Sequence, residues 1–148
     1  VFITVTPDGD TTPPEVLWTN PSADADDIPA SDTAIYTDTV GPVYSPVILI
    51  GVTEPLSETT VNTTSVTLTK VGDTTSLSYG VTFDAGLNQI VVNPRTALTS
   101  GDYEVTVGPA VADRAGNTMT AAHTVSFTIA ADELPTYTVY LPLTLRGE

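Results

Sequence analysis

Residues 101–107 read GDYEVTV and residues 123–129 read HTVSFTI, and in both segments apolar and polar side chains alternate. The apolar members are Tyr103, Val105 and Val107 in the first segment and Val125, Phe127 and Ile129 in the second. Successive side chains of a β-strand point to opposite faces of the sheet, so this period of two predicts two strands, each with one buried face. Between them, residues 115–117 (AGN) are a turn signal.

The same pattern recurs toward the start of the chain. Residues 77–84 read LSYGVTFD, and residues 47–50 read VILI, which is apolar throughout and predicts a central strand covered on both faces. No segment of helical length keeps apolar groups at the helical spacing, and β-branched Thr and Val are abundant. The sequence therefore predicts an all-β, antiparallel β-sandwich. Its strands are expected near residues 15–19, 33–40, 46–53, 64–70, 77–84, 89–93, 102–108 and 123–130.

The charge balance limits the partners. The chain has 148 residues, with 18 acidic and 4 basic side chains and a net charge of −14. Nucleic acids and anionic membranes are negatively charged as well, so we expect neither as a partner. The longest apolar run, residues 47–50, is far shorter than the roughly 20 residues that cross a bilayer, so we expect no membrane insertion.

Side chains that commonly perform catalysis are scarce. The chain has one His and no Cys, which excludes thiol nucleophiles and thiolate zinc sites. His123 begins a predicted strand, and nothing in the sequence supplies it with a nucleophile and an orienting carboxylate. We therefore expect no enzymatic activity and no cofactor, with calcium as the one ion that the acidic residues could bind.

An acidic cluster supplies the candidate metal ligands. Asp24, Asp26 and Asp27 lie close together in the sequence, and Ca²⁺ binds several oxygens at short spacing. The alternative for these three residues is a solvated acidic turn. Asp113 with Asn117, and separately Glu54, are weaker candidates, because a turn cap and a strand end before Pro explain them as well.

Both ends of the chain differ from the body. Residues 1–12 are predicted to form an N-terminal arm and linker, residues 13–130 the sandwich, and residues 131–148 a linker and a C-terminal strand tail. Linkers that contain Pro separate each strand-like arm from the body. The candidate assembly residues are the apolar groups of the arms, namely Val1, Ile3 and Val5 at one end and Tyr137, Val139, Leu141, Leu143 and Leu145 at the other.

The apolar stripe of the tail needs a cover. Five large apolar groups exposed in a row would promote aggregation, and covering them could contribute on the order of 10 kcal/mol gross. The tail is either the last strand of the chain's own sandwich or a strand that is added to a neighbouring subunit.

Six segments carry a resemblance to a known family. Residues 111–117 (VADRAGN) resemble the motif V-x-D-x-A-G-N, and residues 98–107 (LTSGDYEVTV) resemble L-x-x-G-T-x-Y-T-V-T-V. The other segments, in chain order, are residues 14–21 (PEVLWTNP), 50–56 (IGVTEPL), 88–94 (NQIVVNP) and 123–129 (HTVSFTI). Together, residues 13–129 resemble the bacterial Ig-like domains of surface-layer and secreted proteins. Residues 33–44 depart from that pattern, because they add a predicted strand and turn.

The resemblance implies an antiparallel Ig-like β-sandwich for the body between the two strand-like arms, and a family that is not known for catalysis. It implies surface display, spacing, adhesion or lattice building. We expect a secreted, extracellular or cell-surface protein that is a structural subunit of a bacterial filament or surface layer. Its partners would be neighbouring copies in a homo-polymer, joined by strand addition through the arms. The alternative is a carbohydrate- or surface-binding adhesion module of a larger secreted protein, with glycans as partners.

Overall fold

The computed structural model describes residues 9–131, and within them the chain forms ten strands and a single 3₁₀ turn at Glu58–Thr60. The strands are β1 (Val16–Asn20), β2 (Ala25–Ile28), β3 (Tyr36–Thr37), β4 (Pro42–Val43), β5 (Ile48–Val52), β6 (Val66–Lys70), β7 (Tyr79–Asp84), β8 (Gln89–Pro94), β9 (Gly101–Val107) and β10 (His123–Ile129). The predicted all-β Ig-like sandwich is confirmed. Most predicted strands differ from the observed ones by only a few residues at their ends.

Two four-stranded sheets form the sandwich. The front sheet has the strand order β1-β5-β8-β7, and the back sheet has the order β2-β10-β9-β6. The apolar run at residues 47–50 leads into β5, which pairs with β1 on one side and with β8 on the other. The prediction of a central strand is therefore confirmed. Ile48 and Ile50 are buried in the core, whereas Val47 and Leu49 are only half-buried, so the predicted cover on both faces is partial.

The core lies between the sheets and follows the alternation in the sequence. In the front sheet, Ile50 and Ile90 are paired across the strands and fully or almost fully buried. In the back sheet, the rings of Tyr103 and Phe127 stack with their centroids 5.7 Å apart. Each such buried side chain contributes roughly 1.5–3 kcal/mol to the transfer free energy of folding.

The acidic segment, for which the sequence left a metal site and a solvated turn open, contains the short strand β2. β2 pairs in parallel with β10, with Ala25 opposite Phe127 and Ile28 opposite Ile129, and its register shifts between these pairs. The sheets are therefore not wholly antiparallel, which corrects the prediction in this pair. Asp is depleted in strands, so local propensity did not indicate β2; the open edge of β10 supplies its hydrogen bonds instead.

Of the strand predicted at residues 33–40, only β3 (Tyr36–Thr37) is observed. β3 and β4 form a short hairpin, and its turn is closed by the Asp38 carboxylate, which accepts the backbone N–H groups of Val40 and Gly41. Arg95 donates to both oxygens of Asp38, at 2.8 and 2.9 Å, and so clips the hairpin to the end of β8. Because the Asp38 turn reverses the chain, the run of residues 33–40 cannot continue as one strand.

The described chain runs from one end of the sandwich to the other. Asp10 lies beside the loops that follow β5 and β9, which we call the amino pole. Ala130 lies beyond the opposite ends of β9 and β10, next to Ile28 and Ser100, which we call the carboxyl pole. The chain therefore enters the sandwich at one pole and leaves it at the other.

Candidate functional site

Three carboxylates converge at the amino pole. Asp10, Glu54 and Asp113 each place an oxygen within 4.8 Å of the others. Glu54 follows β5, and a β-bridge between Leu56 and Asp113 joins its segment to the loop after β9. The side-chain amide of Asn117 donates to the Asp10 carbonyl at 3.0 Å and holds the incoming chain against that loop.

Asp113 is the structural centre of this acidic trio (Asp10, Glu54 and Asp113). It is only 2% exposed, and its two oxygens accept hydrogen bonds from the backbone N–H and the side-chain amide of Asn117, both at 2.8 Å. Gly116 has a φ of +96°, a conformation that favours Gly, and so permits the turn around this carboxylate. Burial raises the pKa of Asp113, but the hydrogen bonds from Asn117 and the backbone outweigh it, and the net shift lowers the pKa.

The pKa of Glu54 is shifted in the opposite direction from that of Asp113. Burial raises its pKa above the ordinary value, and the nearby charges of Asp10 and Asp113 raise it further. The ionised trio therefore stores repulsion that a proton on Glu54, or a cation between the three groups, would relieve. Carboxylate oxygens are the ligands that hard cations prefer, although Ca²⁺ takes six to eight oxygens and the trio supplies only part of such a shell.

The sequence singled out Asp24, Asp26 and Asp27 instead. Asp24 lies in the turn before β2 with a φ of +57°, and Asp26 and Asp27 are exposed within β2. Among the described residues, these three do not meet in a group of carboxylates as close as the trio does. Calcium binding at Asp24, Asp26 and Asp27 stays a prediction.

The weaker candidates Glu54, Asp113 and Asn117 do come together, and the structure adds Asp10 to them. Asp10 was missed because it precedes the body in a polar linker, and no spacing connects it with Glu54 or Asp113. Only the packing of the chain against the loop at residues 113–117 brings it there.

The assembly residues of the arms lie outside the described residues, and these are Val1, Ile3, Val5, Tyr137, Val139, Leu141, Leu143 and Leu145. The edges that could receive an arm are described. On one open side of the sandwich, β1 faces the start of β10 across a cavity of about 310 Å³ that also touches the exposed His123. On the other side, a cavity of about 550 Å³ lies between β6 and the segment that precedes β7.

Two aromatic side chains lie on the outer face of the front sheet. Trp18 is 46% exposed, and its indole occupies the space that a Cβ of Gly51 would need. Tyr36 is also 46% exposed, and its hydroxyl donates to the Oδ1 of Asn93 at 3.4 Å. Gly51 and Asn93 each follow a core-facing residue in their strands, so both point away from the core. The aromatic pair Trp18 and Tyr36 therefore shares one face.

The family model of the bacterial Ig-like domain matches residues 10–129, and the chain belongs to this family. This confirms the resemblance found in the sequence. Comparison with curated protein sequences gives no significant match.

Solved structures with the same fold come from two settings. PcoC, a methionine-rich copper resistance protein from Escherichia coli, is 19% identical with a TM-score of 0.59, over 80% of this chain and 100% of that one. CopC from Methylosinus trichosporium OB3b is 12% identical with a TM-score of 0.58, over 82% and 97% of the two chains. The N-terminal part of the bacterial S-layer protein SbsC is 18% identical with a TM-score of 0.52, over 80% of this chain and 24% of that one.

These likenesses show the fold alone. This chain is not methionine-rich: it has one Met, which is buried, one His and no Cys. Within residues 9–131, no helix has the length and apolar character to span a membrane.

Proposed function

We propose that the protein is a structural subunit of an extracellular bacterial filament or surface layer, in which neighbouring copies form a homo-polymer by β-strand addition through the arms. The observation that carries this proposal is the passage of the chain from pole to pole. A module that receives its chain at one end and releases it at the other can be repeated along a line. The carboxyl pole of one copy then contacts the amino pole of the next, so two different surfaces meet. Such a head-to-tail contact can repeat and does not close into a two-fold dimer.

The arrangement of the strands gives the repeat its dimension. β10 runs along the sandwich from His123 near the amino pole to Ile129 near the carboxyl pole. At about 3.3 Å per residue, this strand alone separates the poles by roughly 20 Å. Residues 9 and 131, the ends of the described chain, lie at opposite poles, so copies stacked pole to pole bring residue 131 of one copy near residue 9 of the next.

Membership of the bacterial Ig-like family supports a place outside the cytoplasm, and the S-layer protein shows that this fold serves in surface lattices. The net charge of −14 supports a role that involves neither nucleic acid nor an anionic membrane. A non-catalytic role agrees with the surroundings of His123, which is exposed at the start of β10.

Removal of the tail tests the proposal. We expect the full chain to form polymers in negative-stain microscopy, and a variant that lacks residues 136–148 to be a folded monomer with the circular dichroism of a β-sandwich. A matched variant keeps the length but replaces Val139, Leu141 and Leu143 with Ser, and should behave like the deletion. If the deletion unfolds the domain while the full chain is a monomer at high concentration, the tail is an internal strand and the proposal fails.

A second function has a specific observation in its favour. The aromatic pair Trp18 and Tyr36 lies on one face of the front sheet, and exposed aromatic rings stack on flat apolar ligand surfaces such as those of sugar rings. A carbohydrate- or surface-binding module would use this face. Binding to insoluble polysaccharide should then fall when Trp18 or Tyr36 is changed to Ala. Leu87→Ala is the control, because Leu87 is 69% exposed in the turn between β7 and β8.

A further inference from the structure

The two sides of the sandwich, where the edges of the front and back sheets meet, differ in whether the described chain connects the sheets there. On the β6–β7 side, the connection from β6 to β7 itself lines the cavity, and the Tyr79 hydroxyl donates across the gap to the carbonyl of Val66 at 3.4 Å. On the other side, the connection from β1 crosses to the back sheet only near Asp24, whose N–H donates to the carbonyl of Ser126. The stretch between β1 and the first half of β10 is therefore not bridged by the described chain.

This stretch, lined by residues 16–19, 22, 23, 123 and 125, is called the β1–β10 notch here. Within residues 9–131, β1 pairs with β5 alone, and β2 pairs with β10 only at Phe127 and Ile129. Both walls of the notch therefore carry main-chain groups that no described strand pairs with on that side. Such edges are templates for another strand.

The notch is apolar and reaches the core. Its floor includes Val125, which is 4% exposed, and Val16, which packs against the core cluster. Its rim carries Leu17 and Trp18, which are 64% and 46% exposed. None of the described residues that line it is acidic or basic apart from His123, although the whole chain carries a net charge of −14. The β6–β7 cavity, by contrast, is lined mainly by Thr and Ser and contains Asp73.

We propose that the β1–β10 notch is the acceptor for the tail of a neighbouring copy, so that the apolar stripe of residues 137–145 adds as a strand beside β1 and buries its side chains over Val16 and Val125. This inference rests on the proposed function and names the acceptor within it. Strand addition supplies main-chain hydrogen bonds, and alternate side chains of the added strand fill the pocket.

The positions of the two poles favour the tail of a neighbouring copy, and not the chain's own tail, as the occupant of the notch. The described chain ends at the carboxyl pole, where β2 already covers the edge of β10, whereas the notch lies in the half of the sandwich nearest the amino pole. When copies are placed pole to pole, residue 131 at the carboxyl pole of one copy comes next to the half of the following copy that contains the notch. Extended at about 3.3 Å per residue, residues 137–145 span about 30 Å, more than the length of β1.

Cysteine pairing tests this assignment, because the chain has no Cys of its own. One preparation carries Leu17→Cys in the notch and another carries Leu141→Cys in the stripe. The two are dissolved in denaturant, assembled together by dialysis and oxidised with diamide. Docked thiols meet at an effective concentration near the millimolar range, so disulfide dimers should form roughly 1,000-fold faster than between micromolar partners that only collide.

The control pairs Leu141→Cys with Thr69→Cys, an exposed position in the β6–β7 cavity, and should give only the collisional rate. Equal dimer yields at positions 17 and 69, or none at 17, would overturn the assignment of the notch. A third preparation carries Leu17→Cys and Leu141→Cys in the same chain. If it forms a disulfide within one chain while the mixed preparations give no dimer, the notch holds its own tail and the assignment to a neighbour is overturned.

A substitution without Cys distinguishes the acceptor from the proposed function. Leu17→Asp places a charge on an exposed rim, so the melting temperature should change little while polymers disappear. If Leu17→Asp still polymerises but the deletion of residues 136–148 does not, the filament proposal stands and the notch is wrong. If the deletion also polymerises, the proposed function itself has failed.

Discussion

Close packing against Trp18 explains why position 51 is a glycine. The indole of Trp18 lies where the Cβ of any other residue would be, so Gly permits the aromatic ring to lie close to the front sheet. The backbone at Gly51 is an ordinary strand that needs no special φ, and close approach is therefore the reason for Gly at this position.

Gly51→Ala should therefore displace the indole and destabilise the domain. Overpacking of this kind costs about 1–3 kcal/mol, even though Ala has the better strand conformation. Chemical denaturation followed by Trp18 fluorescence measures the loss, since Trp18 is the only Trp in the chain. Gly9→Ala is the control, because nothing lies within 4 Å of a Cβ at that position, and it should be neutral.

Glu54 should destabilise the fold at neutral pH. Its folded pKa is raised, first by burial and then by Asp10 and Asp113, so the folded state binds a proton more tightly than the unfolded state. Stability from this group therefore increases as the pH falls through the raised pKa toward the model-peptide value of 4.5. Glu54→Gln should raise the melting temperature at pH 7, and the difference from wild type should shrink as the pH approaches that value.

Thermal melts at several pH values check this expectation. Glu58→Gln removes the same charge from an exposed position in the 3₁₀ turn and serves as the control for net charge. If the melting temperatures of both variants rise equally at pH 7, the cause is general charge repulsion and not the close approach of the three carboxylates.

The β3–β4 hairpin is an element that depends on one ion pair. Arg95 and Asp38 hold it against the end of β8, and the hydrogen bond from Arg95 is the main reason why the pKa of Asp38 falls to about 2. The backbone N–H of Val40 assists in the same direction. The hairpin covers the outer face of the front sheet near Asn93, which is buried although it points away from the core.

The lowered pKa of Asp38 sets the pH range in which the Arg95–Asp38 ion pair is lost. Its contribution is complete above the unfolded value of 3.8 and disappears as the pH falls through the folded value of about 2. In Asp38→Asn the hairpin should already open at pH 7, seen as faster amide exchange at residues 35–43 while β9 and β10 stay protected. Asp32→Asn is the control in the same exposed segment. If amide exchange is unchanged in Asp38→Asn, the ion pair with Arg95 does not hold the hairpin.

The whole molecule carries an unbalanced acidic charge. Ten acidic groups precede Lys70 and no basic group does, so repulsion is concentrated in the first part of the chain. Monovalent salt should raise the melting temperature by screening. The calcium hypothesis predicts an additional rise at equal ionic strength, because an ion that binds only the folded state stabilises it by mass action.

Two variants assign any such rise to a site. Glu54→Gln would remove it if the trio binds the ion, and Asp26→Asn would remove it if the cluster in β2 does. If sodium chloride reproduces the whole effect of calcium and chelator changes nothing, screening alone is at work.

Much of the fold could be predicted because the information is local. The alternation in residues 77–84, 101–107 and 123–129 identified strands and their buried faces, since a period of two depends on nothing beyond the strand itself. The charged segment that became β2 and the hairpin at residues 36–43 could not be predicted in this way. In both, contacts with a distant strand outweigh weak local preferences.

The amino-acid sequence alone was enough to predict an acidic, all-β Ig-like sandwich and the core-facing residues of its alternating strands, because burial follows the alternation of side chains along a strand. The strand edges that stay unpaired within residues 9–131, and the carboxylates that meet, depend on the tertiary packing. Asp10, Glu54 and Asp113 are far apart in the chain, and their approach depends on how the loops after β5 and β9 pack together. The β1–β10 notch likewise exists because the chain crosses between sheets after β1, a choice that no local pattern records.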